Sequence, residues 1–199
     1  MHTSKRLLSA AVLGLTALIF GGCQTAQEPT AIVSSPAYWQ QMQQKLQQVT
    51  RYQLSGRLGV SGSTRFSANF TLTANQDNYE LELTSPFGAT LANLTVKPGE
   101  AILVADGKTY QAADAQSLFY ETFNLDLPLS SLRTLSLGLI GPASILLPDG
   151  QLLSSAQDGF VVNYQHFKEF DGYALPTDLN VNKGQLYIKL KVNEVAYIE

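Results

Sequence analysis

Few side chains in this 199-residue sequence could carry chemistry. Its one thiol, Cys23, follows directly on Gly21-Gly22. It has no partner for an internal disulfide, and free in an oxidising compartment it would be a liability. His166 is the only histidine beyond His2, and its neighbours Tyr164 and Phe167 place it in a strand, a rim position rather than a base or ligand. Glu80 and Glu82 share the polar face of one strand and could form an acid/base pair only inside a cleft, for which no sequence feature argues. There is no phosphate loop, no zinc spacing and no serine nucleophile elbow. The sequons at Asn69 and Asn93 lie within strand runs and are discounted. The expectation is a non-enzyme with no catalytic residue, metal or cofactor.

The N-terminus is an address. Lys5 and Arg6 precede an uncharged apolar run, Leu7 to Phe20, too short to span a bilayer as a helix. Residues 1–22 read as a signal peptide, and a plain signal peptide followed by a free cysteine is one outcome. The other is carried by Gly21-Gly22-Cys23, which resembles the lipobox of bacterial lipoproteins, although Phe20 stands where leucine is preferred. The resemblance implies lipidation at Cys23, with enough acyl chain for durable anchoring. Gln24, where an Asp would signal inner-membrane retention, implies the outer membrane, lipid-anchored and facing the periplasm. Loss of Lys5 and Arg6 lowers the basic count from 13 to 11 against 16 acidic residues, net −5. No basic stripe survives to follow a phosphate backbone, so nucleic acid is an unsuitable partner. Residues 23–35 read as a flexible tether, with a strand through Ala31-Ile32-Val33 as the alternative. Residues 36–199 read as one domain.

The elements that would position any site are mostly strands. Pro36 to Val49 reads as a helix capped by Ser35, with Trp39, Met42, Leu46 and Val49 on one stripe. Period-two alternation runs through Tyr52–Val60, Arg65–Thr73 and Tyr79–Thr84, returning through Leu91–Val96. Later strands are expected at Ile145–Leu147, Leu152-Leu153, Phe160–Phe167, Leu179–Val181 and Leu186–Val192, with a further edge strand at Val195–Ile198. Turn signals such as Pro98-Gly99, Asp106-Gly107 and Lys183-Gly184 recur about every ten residues, the mark of a meander that curls into a barrel or half-barrel. Two helical pieces interrupt it: Ala113 to Phe123, with Leu118 and Phe119, and Pro128 to Leu139, with Leu129, Leu132, Leu135 and Leu139 on one stripe, ended by Gly141-Pro142. The second is so apolar that it must lie against the sheet or a ligand. Side chains either fill the concave face, or helices cap it and leave an apolar cavity suited to acyl chains. At the hairpin tip Pro86-Phe87-Gly88, the large Phe87 either folds back onto the core, which pattern alone favours, or points outward.

Several short motifs in register resemble the LolB family of outer-membrane lipoproteins. These are Tyr38-Trp39-Gln40, Tyr52-Gln53 with Gly56, Pro86-Phe87-Gly88, Leu127 to Arg133 with Leu137-Gly138-Leu139 downstream, and Ile188 to Lys191. The resemblance covers nearly the whole domain. It implies a mainly β fold: an incomplete antiparallel β-barrel, a curled meander, with a helical lid over an apolar cavity. It also implies a function: accepting triacylated lipoprotein cargo from a periplasmic LolA-like carrier and inserting it into the outer membrane without nucleotide hydrolysis, as a monomer. Trp39, Leu118, Phe119, Leu129, Leu132, Leu135 and Leu139 are then candidates for the cavity or lid. Pro86, Phe87 and Gly88 become the membrane-insertion loop, with Phe87 outward where the family usually has Leu. Leu135 stands where some relatives carry Trp. A structural lipoprotein with a filled core and a soluble acyl carrier remain the competing readings.

Overall fold

The computed structural model describes residues 34–199. The expected signal peptide, Cys23 and the tether as far as residue 33 lie outside the described residues. Helix α1, Pro36–Gln47, opens at Ser35, whose hydroxyl accepts the Tyr38 N–H at 3.2 Å. Pro36 occupies the first helical position, where a missing N–H costs nothing. The helix ends short of the expected Val49, and Gln48 and Val49 donate back to the Lys45 and Leu46 carbonyls.

The chain then builds one antiparallel sheet. It runs outward through β1 (Arg51–Ser61), β2 (Arg65–Asn75), β3 (Asn78–Thr84), β4 (Thr90–Lys97), β5 (Glu100–Ala105) and β6 (Lys108–Ala112). It crosses to the opposite edge through helix α2 (Ala115–Phe123), a 3-10 turn (Leu129–Ser131) and helix α3 (Leu132–Leu137). It returns through β7 (Ser144–Leu146), β8 (Leu152–Gln157), β9 (Phe160–Phe170), β10 (Tyr173–Lys183) and β11 (Leu186–Ile198). The strand order is β6-β5-β4-β3-β2-β1-β11-β10-β9-β8-β7, so the first and last strands pair at the centre and the sheet stays open between β6 and β7. Thr50 and Arg51 both donate to the Glu199 carbonyl, and the Arg51 and Glu199 side chains pair at 2.9 Å.

Two features mark the central pair. The β1–β11 register shifts twice, leaving Asn193 and Ala196 without Cα partners, and such bulges increase local twist. At Gly56 the backbones approach so closely that a Cβ would collide with the Lys191 carbonyl. The bulges also explain a departure from the sequence reading. Residues Val192, Val195 and Ile198 face inward opposite Gly56, Leu54 and Tyr52, at spacings of three rather than two. A strict alternation therefore breaks after Val192, and Val195–Ile198, expected as a separate edge strand, is the end of β11 at the sheet's centre.

Other expectations shift for local reasons. β5 and β6 had no expected strands, because Ala101 to Ala105 is apolar throughout and hides its period. Ala101 and Leu103 are fully buried while Val104 is exposed. β10 extends well before Leu179, carrying Pro176 at a register shift that tolerates its missing donor. The second helical piece is a 3-10 turn plus two α turns, and it ends at Gly138 (φ +66°) rather than at Gly141-Pro142. There the Leu139 N–H returns to the Thr134 carbonyl at 2.9 Å, and the left-handed residue suits glycine.

Candidate functional site

The inner face of the sheet and the crossing helices border a partly open apolar cavity of about 110 Å³. Its floor is the alternating face of the central strands, with Leu58 of β1, Phe70 of β2, Leu81 of β3, Leu179 of β10 and Leu190 of β11. Leu58 and Leu190 stand directly opposite each other, and Leu179 pairs Leu190 on the other side. Its roof is Phe119 of α2, the Leu127-Pro128-Leu129 crossing, and Leu132 and Leu135 of α3. No charged residue lines it. The one polar lining residue, Ser136, is already engaged, 3.1 Å from the Tyr52 hydroxyl and 3.3 Å from the Arg133 carbonyl. A cavity of this kind is dry and offers a ligand dispersion and desolvation only.

Phe119, Leu129, Leu132 and Leu135, expected at the cavity or lid, come together in the roof. Trp39 does not border the cavity. It is buried under α1, with its ring 5.1 Å from Phe167 and its indole N–H donating to Ser34 at 2.6 Å. Leu118 faces away from the cavity into a separate cluster with Leu94 and Leu103, the strands that α2 covers. Leu139, beyond α3, packs with Met42 and Leu175 in the cluster under α1. The floor residues were legible as an inward face but not as a cavity lining, because alternation marks a face and not the space above it.

The roof is held at both ends. Its start is tied to the sheet: Lys183 pairs with Asp126 at 2.7 Å and donates to the Asp158 carbonyl at 2.9 Å, while Ser131 donates to the Asp158 carboxylate at 3.3 Å. The Tyr79 hydroxyl reaches the Leu129 carbonyl at 3.3 Å. Its end is tied to α1. Arg133 donates to the carbonyls of Gln47 and Val49 at 3.2 and 2.8 Å, and the buried Gln43 bridges the Gly138 carbonyl and the Ile140 N–H at 2.8 and 2.9 Å. Burial raises the pKa of Tyr52, offset in part by its Ser136 bond and by Arg133. The ties range from the half-exposed Lys183–Asp126 pair to the buried Gln43 bridge, and most of them end on backbone groups.

The β3–β4 hairpin places a second feature. Pro86-Phe87-Gly88 forms a three-residue loop closed by Ser85, whose N–H donates to the Ala89 carbonyl at 2.7 Å and whose carbonyl accepts Gly88 N–H at 2.9 Å. Gly88 takes the left-handed conformation (φ +87°) that this loop requires. The ring of Phe87 does not fold back; it is 98% exposed. Leu81 and Leu83 of the same hairpin line the cavity. Phe87 stands four residues beyond Leu83, at the tip of the same hairpin.

Elsewhere the surface is unremarkable in its chemistry. His166 lies on β9, mostly exposed and 3.5 Å from Asp178. Glu80 and Glu82 face outward and accept from Asn93 and Thr90 on the neighbouring strand at 3.0 and 3.5 Å. No helix among the described residues is long and apolar enough to cross a membrane.

Comparisons with known proteins agree with this architecture. The family model described as "Outer membrane lipoprotein LolB" matches residues 50–194. The chain is 33% identical to the outer-membrane lipoprotein LolB of Ectopseudomonas mendocina, covering 92% of this chain and 93% of that one. It is also 33% identical to the protein of the same name from Pectobacterium atrosepticum, covering 96% and 97%. Among solved structures, a DUF1329 family protein from Desulfovibrio piger superposes with a TM-score of 0.53 at 7% identity, covering 82% of this chain and 94% of that one, a likeness of fold alone.

Proposed function

The chain belongs to the LolB family of outer-membrane lipoproteins, and from that premise we propose that it receives acylated lipoproteins from a periplasmic carrier and passes them into the outer membrane. The observation that carries this reading is the dry cavity between the sheet and the α2–α3 roof, with no charge on its wall. An acyl chain enters such a site without needing a hydrogen bond, and each methylene moved out of water contributes roughly 0.8 kcal/mol. At about 110 Å³ the cavity is too small for a whole chain: an engineered void of roughly 150 Å³ holds one benzene. Loading therefore lifts the roof, breaking the ties at Asp126, Ser131 and Arg133 while the sheet stays fixed.

Transfer without nucleotide hydrolysis must run downhill, with chains held more tightly here than in the carrier and less favourably than in the bilayer. Lipid on Cys23 keeps the domain at the membrane, and a single copy suffices. Phe87 enters the leaflet first, an aromatic ring suited to the interface, and brings the cavity mouth to the bilayer through the hairpin it shares with Leu81 and Leu83. The test is a transfer assay. A carrier loaded with a labelled triacylated lipoprotein is mixed with a Cys23→Ala chain and then with liposomes. Label should move to this protein and onward, and Phe87→Glu should stop the second step only. A folded chain that takes no label would return the reading to a structural lipoprotein.

A further inference from the structure

Three tyrosines lie under or beside the roof, and two of their hydroxyls are spoken for: Tyr52 meets Ser136, and Tyr79 meets the Leu129 carbonyl. The third, Tyr164 on β9, is 3% exposed, and its hydroxyl is the one buried side-chain polar atom among the described residues without a hydrogen-bond partner. Buried polar groups are nearly always paired, so an orphan of this kind calls for an account. Its surroundings supply one. Tyr164 stands opposite Leu179 in the β9–β10 ladder and packs in the same cluster as Leu135, and both leucines line the cavity. Leu135 rides on α3, the element that must move to admit a chain. Tyr164 itself does not line the cavity; moving α3 would open the cluster that it shares with Leu135 and Leu179 toward the cavity.

We propose that Tyr164 reads the carbonyl at the head of a bound acyl chain: with α3 displaced, its hydroxyl donates to the ester or amide oxygen that follows the last methylene. This rests on the acyl-binding reading above and deepens it. The site has no lining cation to balance a carboxylate, so an uncharged acceptor is the group it can take. Esterified or amidated chains, as on a lipoprotein, are then preferred over chains that lack a carbonyl. The desolvation of the phenol, unreturned in the closed state, is returned only when such cargo is bound.

The experiment compares a short-chain diacylglycerol with the matched dialkylglycerol ether, titrated calorimetrically into the Cys23→Ala chain and into the same chain carrying Tyr164→Phe. The Cys23→Ala chain should bind the ester about fivefold more tightly than the ether, the worth of one neutral hydrogen bond. Tyr164→Phe should abolish that preference, leave the ether affinity unchanged, and leave the melting temperature the same or higher. A preference that survives the substitution, or a lowered melting temperature showing that the hydroxyl has a partner when empty, would overturn the inference. If the Cys23→Ala chain binds both probes equally, carbonyl reading alone fails. If it binds neither, the acyl-binding reading fails first and takes this inference with it.

Discussion

Filling the cavity should stabilise the protein and disable it at once. The substitution is Leu190→Phe, on the inner face of β11 between Leu58 and Leu179, all three bordering the void. An apolar void costs about 24 cal/mol per Å³, so a cavity of about 110 Å³ carries roughly 2.6 kcal/mol of unrealised packing. A ring that occupies half of it recovers roughly 1.3 kcal/mol. For a domain of this size that raises the melting temperature by roughly 3–5 °C. A filled core behaves in the opposite way, because an added ring then strains its neighbours at a cost of about 1–3 kcal/mol. The sign of the change therefore separates a receptor cavity from a structural core. Thermal unfolding followed by circular dichroism gives the sign, and uptake of labelled lipoprotein from the carrier gives the functional half. A higher melting temperature with impaired uptake is expected. A lower melting temperature with undiminished uptake would refute both the void and its role.

Three further outcomes follow from the same geometry. Phe87→Glu touches a side chain that is almost wholly exposed, so unfolding free energy should stay within about 0.5 kcal/mol of the parent while delivery to liposomes is lost; delivery at the parental rate would exclude the loop from insertion. Gln43→Leu strands the Gly138 carbonyl and the Ile140 N–H, so it should cost roughly 2 kcal/mol and speed hydrogen exchange at Ile140, whereas unchanged protection there would mean that α1 does not hold the roof. At high pH the tyrosines govern stability. Burial, then the Glu169 carboxylate and its hydrogen bond, pushes Tyr38 up to about 12 from the usual 10, and burial raises Tyr52, Tyr79 and Tyr164 in the same direction. Because the fold favours the neutral phenols, their contribution is intact below pH 10 and is lost progressively above it, that of Tyr38 as pH rises through about 12. Tyrosinate absorbance from these rings should appear together with unfolding, and ionisation well before unfolding would contradict the assignment.

Much of the domain was legible in the chain because antiparallel sheets write their faces in alternation. Tyr52, Leu54, Leu58 and Val60 could be assigned to one face without coordinates, as could the capped helix at Ser35-Pro36 and the loop at Pro86-Phe87-Gly88. What failed to read were places where the period breaks. The bulges at Asn193 and Ala196 space inward residues by three, and the all-apolar run Ala101 to Ala105 has no polar face to betray its strand. Trp39, a cavity or lid candidate only through the family resemblance, is a core residue under α1, because a stripe shows that a face is buried without saying against what.

The amino-acid order by itself determined the polarity of every surface the site could use: an inward face without charge, an apolar crossing segment, and an aromatic loop tip. It also carried the family resemblance and the expected anchor at Cys23. Whether Phe87 tucks in or stands out, whether the concave face is full or hollow, and which leucines border the hollow were decided only by the tertiary structure. Each depends on the distance between segments far apart in sequence. Side-chain pattern sets which way a residue points, but the separation of the α2–α3 roof from the central strands is set by the ties at Gln43, Arg133 and Lys183 and by the close approach of β1 and β11 at Gly56, and the void is what remains between them.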